Sequence, residues 1–366
     1  MFQFSFDPED QLVQETASAF AREILRPASR THERNGVPVE LFRQYQELGF
    51  ASMELSPSLE GSGQGLLAKV VVLEELAWGD PGATLALENL SWLQPALATM
   101  PEQQARAIVA EFQAQPHTRV AFADGRDLGM EIQAGRVSGH LPFVPAHRPA
   151  WLLLRTATGL LLVKGEDVET EPVPGAGVEA AGGAKVTLHG AHPYWGTADS
   201  TETERLWSRT RIALAALFVG VARAAHEYAV EYTRTRNVFG RPIAQHQGPA
   251  FLLADMRTAI EAARLATWYA AKAYDSGASD APRWAAHAFL EGTECALACT
   301  RDAVQLLGGH GFLRDHLVEK WMRDARVLTL LCGGRDSASE DLLRWKDGEL
   351  QLVSANPEAE RKEAQT

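Results

Sequence analysis

Three long segments with helical periodicity in the second half of the chain constrain the fold most. They cover about 203–236, 245–276 and 281–307, and alanine is frequent on their apolar faces. The breaks between them fall at Phe-Gly-Arg-Pro, at Gly277 and at Gly-Gly-His-Gly. Helices of this length, joined by short turns, predict a long antiparallel bundle.

The sequence before this bundle shows two different patterns of apolar residues. Up to Pro116, apolar residues recur at helical spacing, whereas short apolar or alternating runs separated by Gly and Pro follow. The predicted strands are 118–123, 151–156, 159–164 and 185–189, and 169–183 is predicted to be a loop. The predicted α+β fold has an N-terminal helical domain (1–117), a middle β domain (118–202) and a C-terminal helical bundle (203–366).

Composition excludes several classes of function. The 366 residues include 35 basic and 47 acidic side chains, and this net charge of -12 argues against binding to a phosphate backbone. No run approaches the roughly 18 apolar residues of a membrane helix, and the N-terminus does not resemble a signal peptide. Three cysteines are too few for a disulfide framework, so we expect a reducing, cytoplasmic location and no membrane association. No metal site is expected.

The first specific motif is Arg-Asn-Val-Phe-Gly-Arg-Pro-Ile-Ala-Gln-His-Gln at 236–247. Arg236 ends a predicted helix three residues before Phe239, which offers a guanidinium fork beside a flat apolar surface. This arrangement suits a diphosphate next to an aromatic ring system. Spacing alone leaves a second interpretation open, in which Arg236 caps its own helix and Phe239 belongs to the core.

The second motif is Gln-Leu-Leu-Gly-Gly-His-Gly-Phe at 305–312, followed by Val-Glu-Lys-Trp-Met-Arg-Asp-Ala-Arg at 318–326. Paired glycines let backbone N–H groups approach an anion closely. A glycine-rich turn of this kind is also a common way to end a helix.

Together with Glu-Leu-Gly-Phe at 47–50 and Val-Leu-Glu-Glu-Leu-Ala-Trp-Gly-Asp at 72–80, these motifs and the domain order resemble the acyl-CoA dehydrogenase family of flavoproteins. The resemblance implies a small β barrel or sandwich between two helical domains, and FAD-dependent oxidation of an acyl-CoA in fatty acid metabolism. It also implies a homodimer or homotetramer and an electron-transfer partner. The residues that it assigns to FAD, partly across the dimer, are Arg236, Phe239, Gln247, Gln305, Gly308, Gly309 and Gly311.

The catalytic base of the family is missing from the matching positions. Removal of the α-proton needs a general base, and the resemblance places a Glu in an E-G-T segment just after the Arg-Asp-Ala-Arg helix. Here Cys332 stands at that position. Other members carry the Glu just before a buried Arg, where this chain has Thr210 followed by Arg211. Arg211 is retained as a substrate-binding candidate, and the catalytic residue is unknown.

No nearby group replaces this base convincingly. A free thiol has a pKa of about 8.5, and burial would raise it, so we interpret Cys332 as a buried structural thiol. Asp336 and Glu340 would be shifted along the following helix, and the Glu-Gly-Thr at 291–293 falls in the middle of a predicted helix. We interpret this last string as chance.

The β domain also departs from the family at the flavin. A T-E-P segment is replaced after Phe122 by Asp-Gly-Arg at 124–126, and a W-I-T-N segment by Phe-Val-Pro-Ala at 143–146. Phe122 and Phe143 are kept as candidates for the flavin side. The residues expected to contact the ADP half of FAD are thus retained, whereas several of those expected at its reactive end are replaced.

Three hypotheses follow. The chain is an acyl-CoA dehydrogenase with an unusual or missing base; or it is a catalytically silent subunit, paired with a Glu-bearing paralogue in a mixed oligomer. Alternatively, it belongs to the monooxygenase or nitroalkane-oxidising branch of the superfamily, where a flavin N-hydroxylase needs no base for an α-proton.

Overall fold

The structure is a computed structural model that describes residues 8–346 and 349–350. The outer ends of the first and third predicted domains lie outside the described residues. The N-terminal part is helical, as predicted. Its helices are α1 (Pro8–Phe20), α2 (Arg26–Asn35), α3 (Val39–Glu47), α4 (Leu66–Gly79), α5 (Pro81–Leu87), α6 (Asn89–Trp92), α7 (Gln94–Leu97) and α8 (Glu102–Ala114).

Helix α4 is the central helix of this part. Because it is apolar around most of its circumference, it is buried between α1 and the C-terminal helices. Asp80 ends α4 and caps α5, since its carboxylate accepts hydrogen bonds from the backbone N–H groups of Gly82 and Ala83.

The middle part consists of two four-stranded sheets. Its strands are β1 (Val120–Asp124), β2 (Glu131–Gln133), β3 (Arg136–Val144), β4 (Trp151–Thr156), β5 (Gly159–Lys164), β6 (Val168–Pro172), β7 (Ala184–Ala191) and β8 (Trp195–Thr197). The first sheet has the order β1-β4-β5-β8, with β1 parallel to β4, and the second has the antiparallel order β2-β3-β7-β6.

Alternation along β1 explains how the sheets pack. Ala121 and Ala123 face the second sheet and join a small core between the two sheets. Val120 and Phe122 point the other way and join the main core with the helices. The first sheet is therefore buried on both faces, which is why its strands read as continuous apolar runs.

The predicted loop at 169–183 is partly wrong, because it contains most of β6. This strand is Val-Glu-Thr-Glu-Pro at the edge of its sheet, so it lacks an apolar run and tolerates Pro172. Strand β3 was not predicted either. Its sequence contains Gly139 and Pro142, and its pairing with β7 is irregular at both places.

The C-terminal part is the predicted bundle of long helices. Its elements are α9 (Ser200–Thr235), β9 (Asn237–Val238), β10 (Arg241–Pro242), α10 (Gln247–Asp275), α11 (Ala281–Leu307), α12 (Val318–Leu328), α13 (Gly334–Leu343), β11 (Trp345–Lys346) and β12 (Glu349–Leu350). Helix α9 begins earlier than predicted because the Asp199 carboxylate accepts a hydrogen bond from the backbone N–H of Glu202. Its most apolar 18-residue window is long enough for a membrane span, but 83% of that window is buried inside the fold.

Candidate functional site

A cleft of about 520 Å³ lies where β1 and β3 meet α12 and α13. Its walls are formed by 122–124, Asp127, Leu128, Pro142, Phe143, 173–176, Val327, 330–333, Asp336 and Ser337. Three residues singled out from the sequence, Phe122, Phe143 and Cys332, therefore line one cavity. The cleft is mostly apolar, with a few polar groups, as small-molecule sites are.

Cys332 lies in a tight turn at the inner wall of this cleft. Its backbone is left-handed (φ 56°, ψ 32°), and Gly333 follows with φ 77°. A non-glycine residue in this region costs of order 1 kcal/mol, so the surrounding structure must hold the turn in place. The residue is 2% exposed, and burial raises the pKa of its thiol. A thiol with a raised pKa is largely protonated near neutral pH and is a poor general base.

A group of buried charged side chains and one serine lies in and behind the cleft wall, and we call it the arginine cluster. They come from β1 and the turn after it, from β4, from α9 and from α13. The members are Asp124, Arg126, Arg155, Arg211, Ser337 and Asp341. Arg155 also forms an ion pair with Glu204, so three arginines face three carboxylates.

Asp341 is the centre of the arginine cluster. Its carboxylate oxygens lie 2.7 Å from Arg126 and 2.8 Å from Arg155. Arg211 is the third partner, at 2.6 Å. These four side chains are at least nine-tenths buried, so the ion pairs join the first sheet to α9 and α13 in a water-poor environment.

The cluster keeps its aspartates ionised. Burial opposes ionisation of Asp341, but the positive charges of its arginine partners hold its pKa well below the ordinary value. The pKa of Asp124 is also lowered, against the effect of burial, chiefly by its hydrogen bond from Arg126. A carboxylate stabilised in this way is a weak base, and neither aspartate is suited to remove a proton at neutral pH.

The other sequence-selected residues near the base position differ in where they lie. Thr210 is fully buried, and its hydroxyl has no hydrogen-bond partner within the described part of the chain. Arg211 is directed into the arginine cluster and does not line the cleft, so its role in substrate binding stays a prediction. Asp336 is exposed at the cleft, whereas Glu340 is not among the lining residues. Glu291 is exposed in the middle of α11.

The residues expected to contact the ADP half of a cofactor lie on a different surface, which we call the cofactor surface. Phe239, in the β9–β10 turn with φ 52°, is 94% exposed. Phe239 and Gln305 line one open cavity of about 450 Å³. Arg236 and Gln247 are exposed at the end of α9 and the start of α10. No hydrogen bond or ion pair of the Arg236 guanidinium occurs within residues 8–346.

The glycines of the second motif differ in role. At Gly308 and Gly309 a side chain would meet open space, so their backbone is accessible from outside. At Gly311 a Cβ would lie 2.3 Å from the backbone oxygen of Val304, so this glycine is required for packing. Phe312, the last residue of the motif, is 74% exposed.

Sequence reasoning missed most of the arginine cluster. It did not single out Arg155, Ser337 or Asp341, and it treated Arg126 only as a departure from a motif. One signal was present: Arg155 interrupts the apolar strand Trp-Leu-Leu-Leu-Arg-Thr, and a charge in a buried strand requires a partner.

Two family models match the chain. The acyl-CoA dehydrogenase N-terminal domain matches residues 7–112, and the acyl-CoA dehydrogenase C-terminal domain matches residues 196–345. The short-chain specific acyl-CoA dehydrogenase of Sus scrofa mitochondria is 27% identical over 361 residues, covering 88% of this chain and 86% of that protein.

Solved structures show the same fold. Butyryl-CoA dehydrogenase from Megasphaera elsdenii has a TM-score of 0.81 at 20% identity, covering 93% of this chain and 98% of that one. The structure of PigA with FAD and proline has a TM-score of 0.83 at 20% identity, covering 94% and 98%. With matches to both terminal domains and a common fold, the chain belongs to the acyl-CoA dehydrogenase family of oxidoreductases, whose dehydrogenases act on CH–CH donors.

Proposed function

We propose that this chain is a subunit of an FAD-dependent enzyme that oxidises the α,β-bond of an acyl-CoA thioester. The observation that carries the proposal is the mostly apolar cleft that brings Phe122, Phe143 and the Cys332 turn together. The family membership supports an oxidoreductase, and the cofactor and the substrate are our proposal.

The residues of the cofactor surface fit FAD. The exposed Arg236 guanidinium, unpartnered within the part of the chain that the structure describes, suits a diphosphate, and the exposed Phe239 ring suits a flat apolar group. The accessible backbone at Gly308 and Gly309 adds N–H groups that can face an anion. When bound, FAD supplies the acceptor for the hydride that leaves the β-carbon. Because these residues point away from the chain, they support a cofactor shared between protomers of a dimer or tetramer.

The group at the base position of the chain's own cleft is poorly suited to the proton half of the reaction. Cys332 holds its proton, and the ion pairs of the arginine cluster occupy Asp124 and Asp341. This observation favours a second candidate, in which the chain is the catalytically silent subunit of a mixed oligomer. A Glu-bearing paralogue would then supply the base, and this chain would supply Arg236 and Phe239 to the partner's FAD.

The absorbance spectrum of the chain purified alone separates these candidates. A flavin spectrum that bleaches on anaerobic addition of butyryl-CoA would support an active enzyme and exclude a silent subunit. Colourless protein that gains FAD only when a Glu-bearing paralogue is co-expressed would support the silent subunit.

Two further results bear on the proposal. Oxygen uptake that depends on NAD(P)H or a reductase would instead favour the monooxygenase branch. Protein that binds no flavin under any of these conditions would contradict the proposal itself.

A further inference from the structure

The accessible glycines of the cofactor surface belong to residues 308–316, between α11 and α12, which we call the glycine-rich segment. Glycine restricts the backbone less than any other residue, and Gly308 has a φ of 58°. The conformation of the segment must therefore be held by contacts of its other residues. Two of these are histidines, His310 and His316, and both are hydrogen-bonded to tyrosines of α9.

The tyrosines and histidines form one packed unit. The hydroxyl of Tyr232 lies 2.8 Å from Nδ1 of His310, and the hydroxyl of Tyr228 lies 2.7 Å from Nδ1 of His316. Tyr228 and Tyr232 are four residues apart, so they project from the same face of α9. The centroids of the two imidazole rings are 5.7 Å apart, and Tyr232 contacts His316 edge-on at 5.8 Å. The unit thus fastens the glycine-rich segment to α9.

Tyr232 is the member of this unit that touches both cofactor motifs. Its backbone oxygen accepts a hydrogen bond at 2.9 Å from the backbone N–H of Arg236, the first residue of the first motif. Its hydroxyl binds His310 of the second motif. A diphosphate must meet the Arg236 guanidinium and the accessible N–H groups at the same time. The relative position of the two motifs therefore decides how much ordering is left to be done when the ligand binds.

We propose that Tyr232 is a positioning residue for the cofactor, which it serves through His310 and without contacting the cofactor itself. The Tyr232–His310 hydrogen bond holds the backbone of Gly308 and Gly309 in a fixed place relative to Arg236. The proposal rests on the proposed function, because it assumes that these groups bind the diphosphate of FAD.

Tyr232→Phe tests this role, because it keeps the ring and removes only the hydroxyl. Loss of one hydrogen bond changes an equilibrium by about threefold to tenfold. We expect the FAD dissociation constant, measured by flavin fluorescence on the chain or on its complex with a paralogue, to rise by that factor. In the chain without FAD, hydrogen–deuterium exchange at the backbone amides of 308–312 should become faster. Tyr194→Phe removes a hydroxyl just before β8 and is the matched control that should change neither quantity.

Variants of His310 separate positioning from simple packing. The side-chain amide of asparagine lies as far from the backbone as Nδ1 of histidine, so His310→Asn should keep the bond to Tyr232 and most of the FAD affinity. His310→Leu should weaken FAD binding as much as Tyr232→Phe does. The two substitutions together should add little, since both remove the same hydrogen bond. Equal weakening in His310→Asn and His310→Leu would overturn the role of this hydrogen bond.

The result for Tyr232→Phe also separates this inference from the proposed function. An unchanged FAD affinity in this variant, whatever its amide exchange, would overturn the inference and leave the proposed function standing. Wild-type protein that binds no FAD, alone or with a paralogue, would contradict the proposed function and the cofactor role of Tyr232 with it. Amide exchange at 308–312 would then still show whether Tyr232 holds the glycine-rich segment.

Discussion

The arginine cluster and the cofactor surface use arginines in opposite ways. In the cluster, Arg126, Arg155 and Arg211 each form an ion pair with Asp341 inside one chain. On the cofactor surface, Arg236 is exposed and its guanidinium has no partner among the described residues, and Phe239 is exposed as well. The charges of the first region are therefore paired within a single chain, whereas the exposed groups of the second are the ones that our proposal assigns to FAD and a second protomer. Substitutions in the arginine cluster should lower the unfolding free energy. Substitutions on the cofactor surface should weaken binding of the cofactor or of another protomer.

The largest effect should come from Asp341→Asn. Removing one partner from a buried ion pair leaves charges without compensation and typically costs about 3–5 kcal/mol of unfolding free energy. Urea unfolding followed by circular dichroism measures this loss. Glu40→Gln is the matched control, because the Glu40–Arg43 pair is more than half exposed and should contribute almost nothing. An unfolding free energy of Asp341→Asn close to that of the wild type would show that the ion pairs of Asp341 do not stabilise the fold.

A smaller loss of unfolding free energy is expected at acidic pH. Asp124 and Asp341 have folded pKa values below that of an unfolded aspartate, which is about 3.9. The unfolded state therefore takes up their protons first as the pH falls. The stability that they provide is fully present above about pH 5 and is lost as the pH falls toward the lowered folded values. Unfolding free energies measured from about pH 6 to pH 3 should fall less steeply in Asp341→Asn than in the wild type. Equal slopes would contradict the assigned pKa direction.

Arg236→Ala tests the cofactor surface. It should weaken FAD retention about tenfold to a hundredfold, or weaken the dimer, because an arginine–phosphate contact contributes on the order of 1.5–3 kcal/mol. The unfolding free energy of the isolated chain should stay unchanged. The flavin-to-protein ratio and light scattering after gel filtration provide the measurements.

Arg234, exposed in the last turn of α9, allows a matched control through Arg234→Ala. Unchanged flavin occupancy and assembly in Arg236→Ala would remove the main assignment on this surface.

The two regions also differ in how far the sequence predicts them. The cofactor surface lies at breaks between long helices, and its residues stand close together in two short motifs, so these motifs and the family resemblance were enough to select Arg236 and Gln305 as candidates. Asp341 and Arg155 are 186 positions apart, and only the packing of β4 against α13 brings them together. The long helices are predictable because their periodicity is local. Edge strand β6 is not, since it lacks an apolar run and ends in Pro172.

The smallest effect is expected from Cys332→Ala, which tests whether the thiol takes part in the chemistry. Burial raises the pKa of this thiol, so little thiolate is available to act as a base. Any dehydrogenase activity should therefore change by less than tenfold, a barrier difference below about 1.4 kcal/mol. The rate of flavin reduction by butyryl-CoA measures this directly. Cys332→Ser is the control, because it replaces the thiol with a hydroxyl donor of similar size in the same turn. A loss of more than tenfold in the alanine variant alone would show that a polar group at this position is needed. It would also mean that the cleft, and not only the cofactor surface, takes part in the reaction.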